Sequence, residues 1–556
     1  MSDQKEQAST TPPPASKSGA TAVAEEDERV PLTLSWENYT VHVPTSKLKS
    51  KMWSKDNPLT YFMRDYLGAS VEPVDSFYAL DNVSGYVRSG EMCLILGTND
   101  MASSTLLRGL SQRLSTQEQV TGTTLINGIP LTEAVSQKWR RRMPYCSPED
   151  TTHSAVLTVK ETLEFAAQCT NPDASIIQEK VDNLMALLDL SHVKDTVVGD
   201  ENLRGISGGQ KRRVTVGEMM TDPTCRVLSL DHITDGLSSK DSIHLLSSLK
   251  KGCEDFEVSC VIALSQPSDE IVALFENILV LTDHGEQVYF GPPDRSLLRK
   301  VFLGTDDSSQ DKGSICDLVL STSVQEQADA VHKRYLATSS HRDMLTTLSD
   351  IRAAAPPARE RDITPFLPKK KYANSFARQF VVLANRRRKL IFRNAVTYTR
   401  ICIAILFGLI IGSLFSEINN DLIGSLGRTG YLFLHCFLVL MLSAAITIPQ
   451  TFRDRLTLFK HRSAEFYSGR VAYVTQVLLD IPLSVFEAII LSVISYRWVN
   501  LRNDTPARFL YFMGTLIGLE FVGQAFGRLL CAICRKQVYA NTLSSVFILM
   551  FGTGMS

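Results

Sequence analysis

Five long apolar runs, all in the last third of the chain, constrain most strongly what these 556 residues can form. Tyr398–Ser416, Thr429–Pro449, Val471–Tyr496, Phe509–Leu529 and Val538–Ser556 are each about 20 residues or more, enough for a helix to cross a hydrocarbon layer of about 30 Å. Basic residues orient them: Lys369–Lys371, Arg386–Lys389 and the connection TFRDRLTLFKHRSAEFYSGR (451–470) place the N-terminal part and the second loop on the cytosolic side. The third loop then lies outside, where the sequon Asn503-Asp504-Thr505 is usable. The last run is unfinished at Ser556, and a complete unit returns to the cytosol after an even number of crossings, so a truncated or unusually short chain is expected.

The residues before about 395 are polar and of a different class. Residues 1–30 lack an apolar core and are rich in Ser, Thr, Pro, Ala and acidic residues, which reads as a disordered tail and not as a signal peptide. LTLSWENYTVHVP (32–44) alternates as a strand, and ALDNVSGYVRSGEMCLILG (79–97) reads as strand, turn and buried strand. Further apolar strands, CRVLSLD (225–231) and VSCVIALS (258–265), alternate with helical stretches, so a mixed sheet flanked by helices is expected. Residues 305–372 are polar, with a break at Pro356-Pro357, and read as a linker. The net charge of −1 argues against a nucleic-acid partner. Eleven cysteines without framework spacing fit a reducing compartment; Cys531 and Cys534 make one CxxC with no second pair to complete a metal site.

The chemistry-bearing motif is LRGISGGQKRRVTVGEMM (203–220). Ser207, Gly208, Gly209 and Gln210 open a helix there, where unpaired N–H groups and the helix dipole favour an anion. The motif precedes an apolar strand ending in Asp231 by about 20 residues. With ALDNVSG, LTVKETLEFAA (157–167), LSQPSDEIVALFENILVLTDHGEQVYFGPP (264–293) and DIPLSVFE (480–487), the chain resembles the G-family ABC transporters of the white and pleiotropic-drug-resistance type over residues 75–556.

The resemblance implies an α/β P-loop ABC nucleotide-binding domain over 31–304, followed across the linker by an all-α, ABC2-type transmembrane domain over 373–556. NSFARQFVVLANRRRKLIFRN (374–394) is similar to the family's elbow helix, and 451–470 to a short coupling helix. ATP and Mg2+ are the implied cofactors. Nucleotide-binding positions fall on Gly97, Ala102, Ser103, Ser104 and Thr105 of the phosphate loop and on Ser207–Gln210; Ser104 and Asp231 fall on the metal.

The departures from the family pattern are informative. A phosphate loop reads G-x-x-x-x-G-K-[ST], yet here Ala102 replaces the second glycine and Ser103 the lysine. His232 stands at the position of the catalytic glutamate, and Ser265 at that of the switch histidine. Ser238 and Pro148 replace a loop aspartate and a metal-contacting glutamine. Because ABC domains pair head to tail, the resemblance implies that this chain's phosphate loop serves a degenerate site while its signature completes a site on a partner half with an intact loop. The implied function is export of a lipid or amphipathic compound; a pseudo-ATPase subunit that regulates another transporter is the alternative. Glu487 and Glu520, costly in apolar segments, are expected to face protein or water.

Overall fold

A computed structural model describes residues 31–45, 75–97, 100–115, 118–149, 152–304, 314–320, 325–356, 363–416, 418, 421–499, 501 and 505–554. The tail 1–30, Thr98-Asn99 of the phosphate loop and Asn503-Asp504 of the sequon lie outside the described residues.

The N-terminal half is built on two sheets. Strands β1 (Leu34–Thr45), β2 (Asp75–Val87), β4 (Gln119–Ile126) and β5 (Ile129–Pro130) form an antiparallel sheet in the order β2-β1-β4-β5. Strands β3 (Met92–Gly97), β6 (Tyr145–Cys146), β7 (Val227–Asp231), β8 (Ser259–Ala263), β9 (Asn277–Leu281) and β10 (Gln287–Gly291) form the second, in the order β10-β9-β3-β8-β7-β6, parallel except at β9–β10. Central parallel strands are covered on both faces, which is why MCLILG, VLSLD and SCVIA read as unbroken apolar runs and not as alternation. Their C-terminal ends open toward the helix Asp100–Leu110 and carry the candidate site.

Side-chain caps start the flanking helices. Thr158 and Glu161 form a capping box on Val159–Thr170, Ser207 and Gln210 form another on Gly208–Met220, and Ser238 caps Ser239–Phe256. The segment read as a linker contains the helices Gln325–Leu336 and Ser339–Ala353, which bury Val331, Tyr335, Met344 and Leu348. The Tyr335 hydroxyl donates to the Phe290 carbonyl at 3.1 Å, so these helices lie on β10. Polar composition misled because only one face of each helix is apolar.

Among the described residues, four helices are long and apolar enough to cross a membrane: Ala395–Leu414, Leu422–Ser463, Gly469–Trp498 and Pro506–Ile533. The fifth apolar run is also helical, over Gln537–Gly554. The expected short coupling helix is instead the last part of the second membrane helix, which runs unbroken for 42 residues, about 63 Å at 1.5 Å per residue. Thr451–Ser463 contains no glycine or proline to stop it. The expected elbow helix, Phe376–Arg393, is capped by Ser375. Val382 and Leu383 of that helix, and Ala464, Phe466, Tyr467 and Val471 after the long helix, join the same buried core as β3 and β7. The two halves are therefore packed through continuous apolar contact.

Candidate functional site

At the ends of β3, β7 and β8, residues far apart in sequence converge. Gly97 closes β3, and the helix Asp100–Leu110 begins three residues later. Ala102, Ser103 and Thr105 are buried on that helix. The Ser103 hydroxyl donates to the Asp100 carbonyl at 3.0 Å, and Thr105 accepts from Arg108 at 3.2 Å. Asp231 closes β7 with no exposed surface. Its Oδ2 accepts from the Tyr145 hydroxyl at 2.6 Å, whereas its Oδ1 has no hydrogen-bond partner. Burial pushes this carboxyl above its ordinary range, against hydrogen bonds from Tyr145 and Ser104 that pull it down.

His232 follows on a left-handed backbone, φ 49°, a region where histidine is among the tolerated residues. Its ring is 3% exposed. Nδ1 lies 2.9 Å from the Ser265 hydroxyl, and Nε2 lies 3.5 Å from Oδ1 of both Asp100 and Asp231. Ser265 in turn donates to Asp100 Oδ1 at 3.5 Å. The fold thus unites Ser104, Asp231, His232 and Ser265, and adds two residues that sequence reading missed, Asp100 and Tyr145. Asp100 carried a readable signal, a carboxylate inside a phosphate loop; Tyr145 carried none.

The signature residues form a second group. The Ser207 hydroxyl accepts from the Gln210 amide at 3.3 Å while Gln210 Oε1 accepts from the Ser207 amide at 3.0 Å. Gly208 is exposed, and a Cβ on it would meet nothing within 4 Å; one on Gly209 would touch Leu237 at 3.0 Å. Ser238, the replacement for a loop aspartate, serves as helix cap and donates to Asp241 at 2.7 Å.

An ABC-type site implies ATP with Mg2+, and the two halves of this pocket fit them unequally. The cation half fits: Asp231 Oδ1 is an orphaned, buried anionic oxygen, the kind of group a divalent ion satisfies. The phosphate half does not. Asp100 sets a carboxylate at the start of the helix that should receive phosphates, and Ser103 spends its hydroxyl on that residue's carbonyl. Negative charge there opposes the anion-binding tendency of a helix N-terminus.

Glu218, in the last turn of the signature helix, ties this domain to the membrane helices. Lys460 Nζ donates to it at 2.6 Å, with His461 at 3.5 Å and His153 at 3.6 Å. Burial alone would raise the Glu218 carboxyl, but Lys460 and His153 hold it well below the ordinary range. Beside the phosphate helix, Arg113 donates to the Ser463 hydroxyl at 2.9 Å and carbonyl at 2.8 Å. Deeper in the membrane half, Arg400 bonds Glu487 at 2.7 Å and lies 3.7 Å from Glu520. The two costly carboxylates therefore face protein and share a guanidinium across three helices. Cys531 and Cys534 offer their carbonyls to Arg455 at 3.4 and 2.9 Å, an end cap for the fourth membrane helix.

Comparison with known proteins agrees with this division. Residues 80–235 match the ABC transporter family and residues 378–553 the ABC-2 type transporter family. ABC transporter G family member 5 of Dictyostelium discoideum is 29% identical over 84% of this chain and 32% of its own length, and member 11 is 26% identical over 86% and 35%. ABC transporter G family member 51 of Oryza sativa subsp. japonica is 28% identical over 84% and 35%. The chain spans about a third of the length of these curated relatives. Nucleotide-binding sheet first and apolar helix bundle second, the chain carries an ABC transporter domain followed by an ABC-2 type transporter domain and is similar to G-family ABC transporters over most of its length.

Proposed function

We propose that this chain is half of an exporter whose working ATP site is composite, with Ser207–Gln210 completing the phosphate loop of a partner half. The observation that carries the reading is the contrast between its two nucleotide-facing surfaces. The signature helix presents an accessible, glycine-lined N-terminus with its serine in capping geometry, whereas the phosphate helix opens on the Asp100 carboxylate. In this reading Gly97, Ala102, Ser103, Ser104 and Thr105 flank a weak site, Asp231 and Ser104 hold its cation, and His232 and Ser265 do not replace a glutamate base and its switch partner. His232 is too enclosed, between Asp231, Asp100 and Ser265, to polarise an attacking water. The nucleotide domain is cytosolic, following the basic residues around Arg386. The cargo is a lipid or amphipathic compound.

Binding energy from nucleotide closure at the signature would reach the membrane through Glu218 and Lys460, the buried pair that joins the signature helix to the second membrane helix. A second reading, a catalytically silent subunit that regulates another transporter, draws on the same Asp100 carboxylate. ATPase activity of the purified chain in lipid, alone and with intact-loop G-family partners, separates the two. Activity that appears only with a partner and is lost in Ser207→Arg supports the composite site. Silence with every partner supports the regulator.

A further inference from the structure

We infer that Glu487 and Glu520 form a one-proton site at the junction of the first, third and fourth membrane helices, separate from the nucleotide domain. The observation that carries it is a count of charges inside the bundle. Arg400 Nη2 donates to Glu487 Oε2 at 2.7 Å and lies 3.7 Å from Glu520 Oε1. All three side chains are more than nine-tenths buried. Two carboxylates therefore face one guanidinium. The neighbouring ionic group, by contrast, is balanced: Arg387 pairs with Asp454 and Asp480, and Asp480 also accepts from Arg528 at 2.8 Å. Two guanidinium groups meet two carboxylates there, so no charge is left over for Glu520. Among the described residues no other cation pairs with Glu487 or Glu520.

An uncompensated carboxylate among apolar helices is costly, and two carboxylates that share a site are relieved when one proton joins them. The hydrogen bonds show where that proton goes. Glu487 Oε1 is buried without a hydrogen-bond partner, an acceptor in need of a donor. Glu520 lies within hydrogen-bonding reach of Glu487, and its Oε1 already accepts from Gln524 at 3.3 Å. Gln524 is held in turn by its bond to Ser484 at 2.6 Å. A carboxyl on Glu520 donates to Glu487 while Arg400 holds the remaining negative charge, so the two residues titrate as one unit. A metal ion fits less well, since among the described residues no three His, Cys, Asp or Glu side chains form a group that could hold one. A polar cleft lined by Arg387, Asn394, Arg400, Gln450 and Asp480 lies between the elbow helix and the first three membrane helices and reaches Arg400. Water in this cleft exchanges the proton with the side on which the elbow helix lies. The membrane half thus has a group whose charge changes by one unit where three helices meet.

The test is infrared difference spectroscopy of the purified full chain in lipid at neutral pH, comparing wild type with Glu520→Gln and Glu487→Gln. No nucleotide is added, which keeps its outcome separate from that of the composite-site reading. A protonated carboxyl and a carboxylate absorb at different frequencies, and the carboxyl band moves in D2O. The expected result is that either substitution removes one carboxyl band and no carboxylate band, because the surviving glutamate then has Arg400 to itself. Dicyclohexylcarbodiimide, which adds to protonated carboxyls in apolar surroundings, locates the group by peptide mass mapping. The adduct is expected on Glu520 or Glu487 in wild type and on neither position in the two variants. Labelling of wild type needs no substitution, so the test stands even where a variant fails to fold. Loss of a carboxylate band in either variant, or wild type left unlabelled at both positions, overturns the inference.

Discussion

Lys460 and Glu218 meet at 2.6 Å with their side chains 0% and 1% exposed. One sits at the membrane-distal end of the 42-residue helix and the other in the last turn of the signature helix. Breaking such a pair leaves an uncompensated buried charge, which costs about 3–5 kcal/mol, whereas replacing both partners by apolar residues of similar volume is far cheaper. Glu218→Leu and Lys460→Met should therefore each lower the thermal midpoint of the purified chain sharply. The double variant should recover most of the loss. Single variants that melt like wild type would show that the two halves do not depend on this contact.

The same pocket makes the junction sensitive to acid. His153 is fully buried, and burial together with nearby Lys460 lowers its proton affinity. Its ring nitrogens face Lys460 Nζ at 3.1 Å, Glu218 at 3.6 Å and the Thr215 hydroxyl at 3.0 Å, with His461 on the other side of the carboxylate. A histidine with a depressed folded pKa contributes stability above its unfolded value of about 6.5, and that stability is lost as pH falls. Glu218 is also depressed, but its contribution is lost only below about pH 4.5. Between pH 6.5 and 5, stability should thus fall by up to about 1.4 kcal/mol per pH unit for His153 alone. His153→Asn should flatten that slope in denaturant titrations. An unchanged slope would assign the acid sensitivity elsewhere.

Restoring the phosphate-loop lysine tests why nucleotide binding is weak. A charge-assisted contact regained at Ser103 is worth about 1.5–3 kcal/mol, or roughly 10-fold to 150-fold in affinity. Ser103, however, is 2% exposed and bonded to Asp100. A new ammonium there would pair with the Asp100 carboxylate before reaching a phosphate. Ser103→Lys should therefore tighten ATP binding only slightly, and Ser103→Lys with Asp100→Asn should approach the full gain, measured by calorimetry on the chain. Equal gains in the single and double variants would clear Asp100 of any role.

What could be read from the sequence follows from what is local. The strands of the parallel sheet, the serine-capped signature helix and the cores of the apolar helices are set by runs and caps a few residues long, and they lie where the sequence placed them, except that the second apolar helix runs on to Ser463. The chemistry at Asp231 was legible as a set of substitutions, because motif spacing fixes which residues share the site. The contact of Asp100 with His232 and Ser265 was not, since it depends on the helix beginning at that residue. Nor was the Glu218–Lys460 pair, whose members are 242 residues apart and become neighbours only when the long helix fails to end at the membrane surface. Pro449 suggested a stop, but the helix continues through it.

Gly523 sets how closely the second and fourth membrane helices approach. A Cβ there would lie 1.9 Å from Ser443 Oγ and 2.9 Å from the Leu440 carbonyl oxygen. The first contact could be relieved by a rotamer change, but Ser443 is itself bonded to that carbonyl at 3.1 Å and the backbone cannot retreat without moving the helix. Close approach over small residues is what holds apolar helices together when no hydrophobic force favours protein over lipid. Gly523→Ala should therefore cost about 1–3 kcal/mol through overpacking. Ser443→Ala added to it should recover only part, because the Leu440 carbonyl remains. Gly514→Ala, on the same helix with nothing within 4 Å of the new Cβ, should be neutral. Thermal melts of the three variants in one detergent decide the matter: if Gly523→Ala and Gly514→Ala melt together, the two helices are not in tight contact at this crossing.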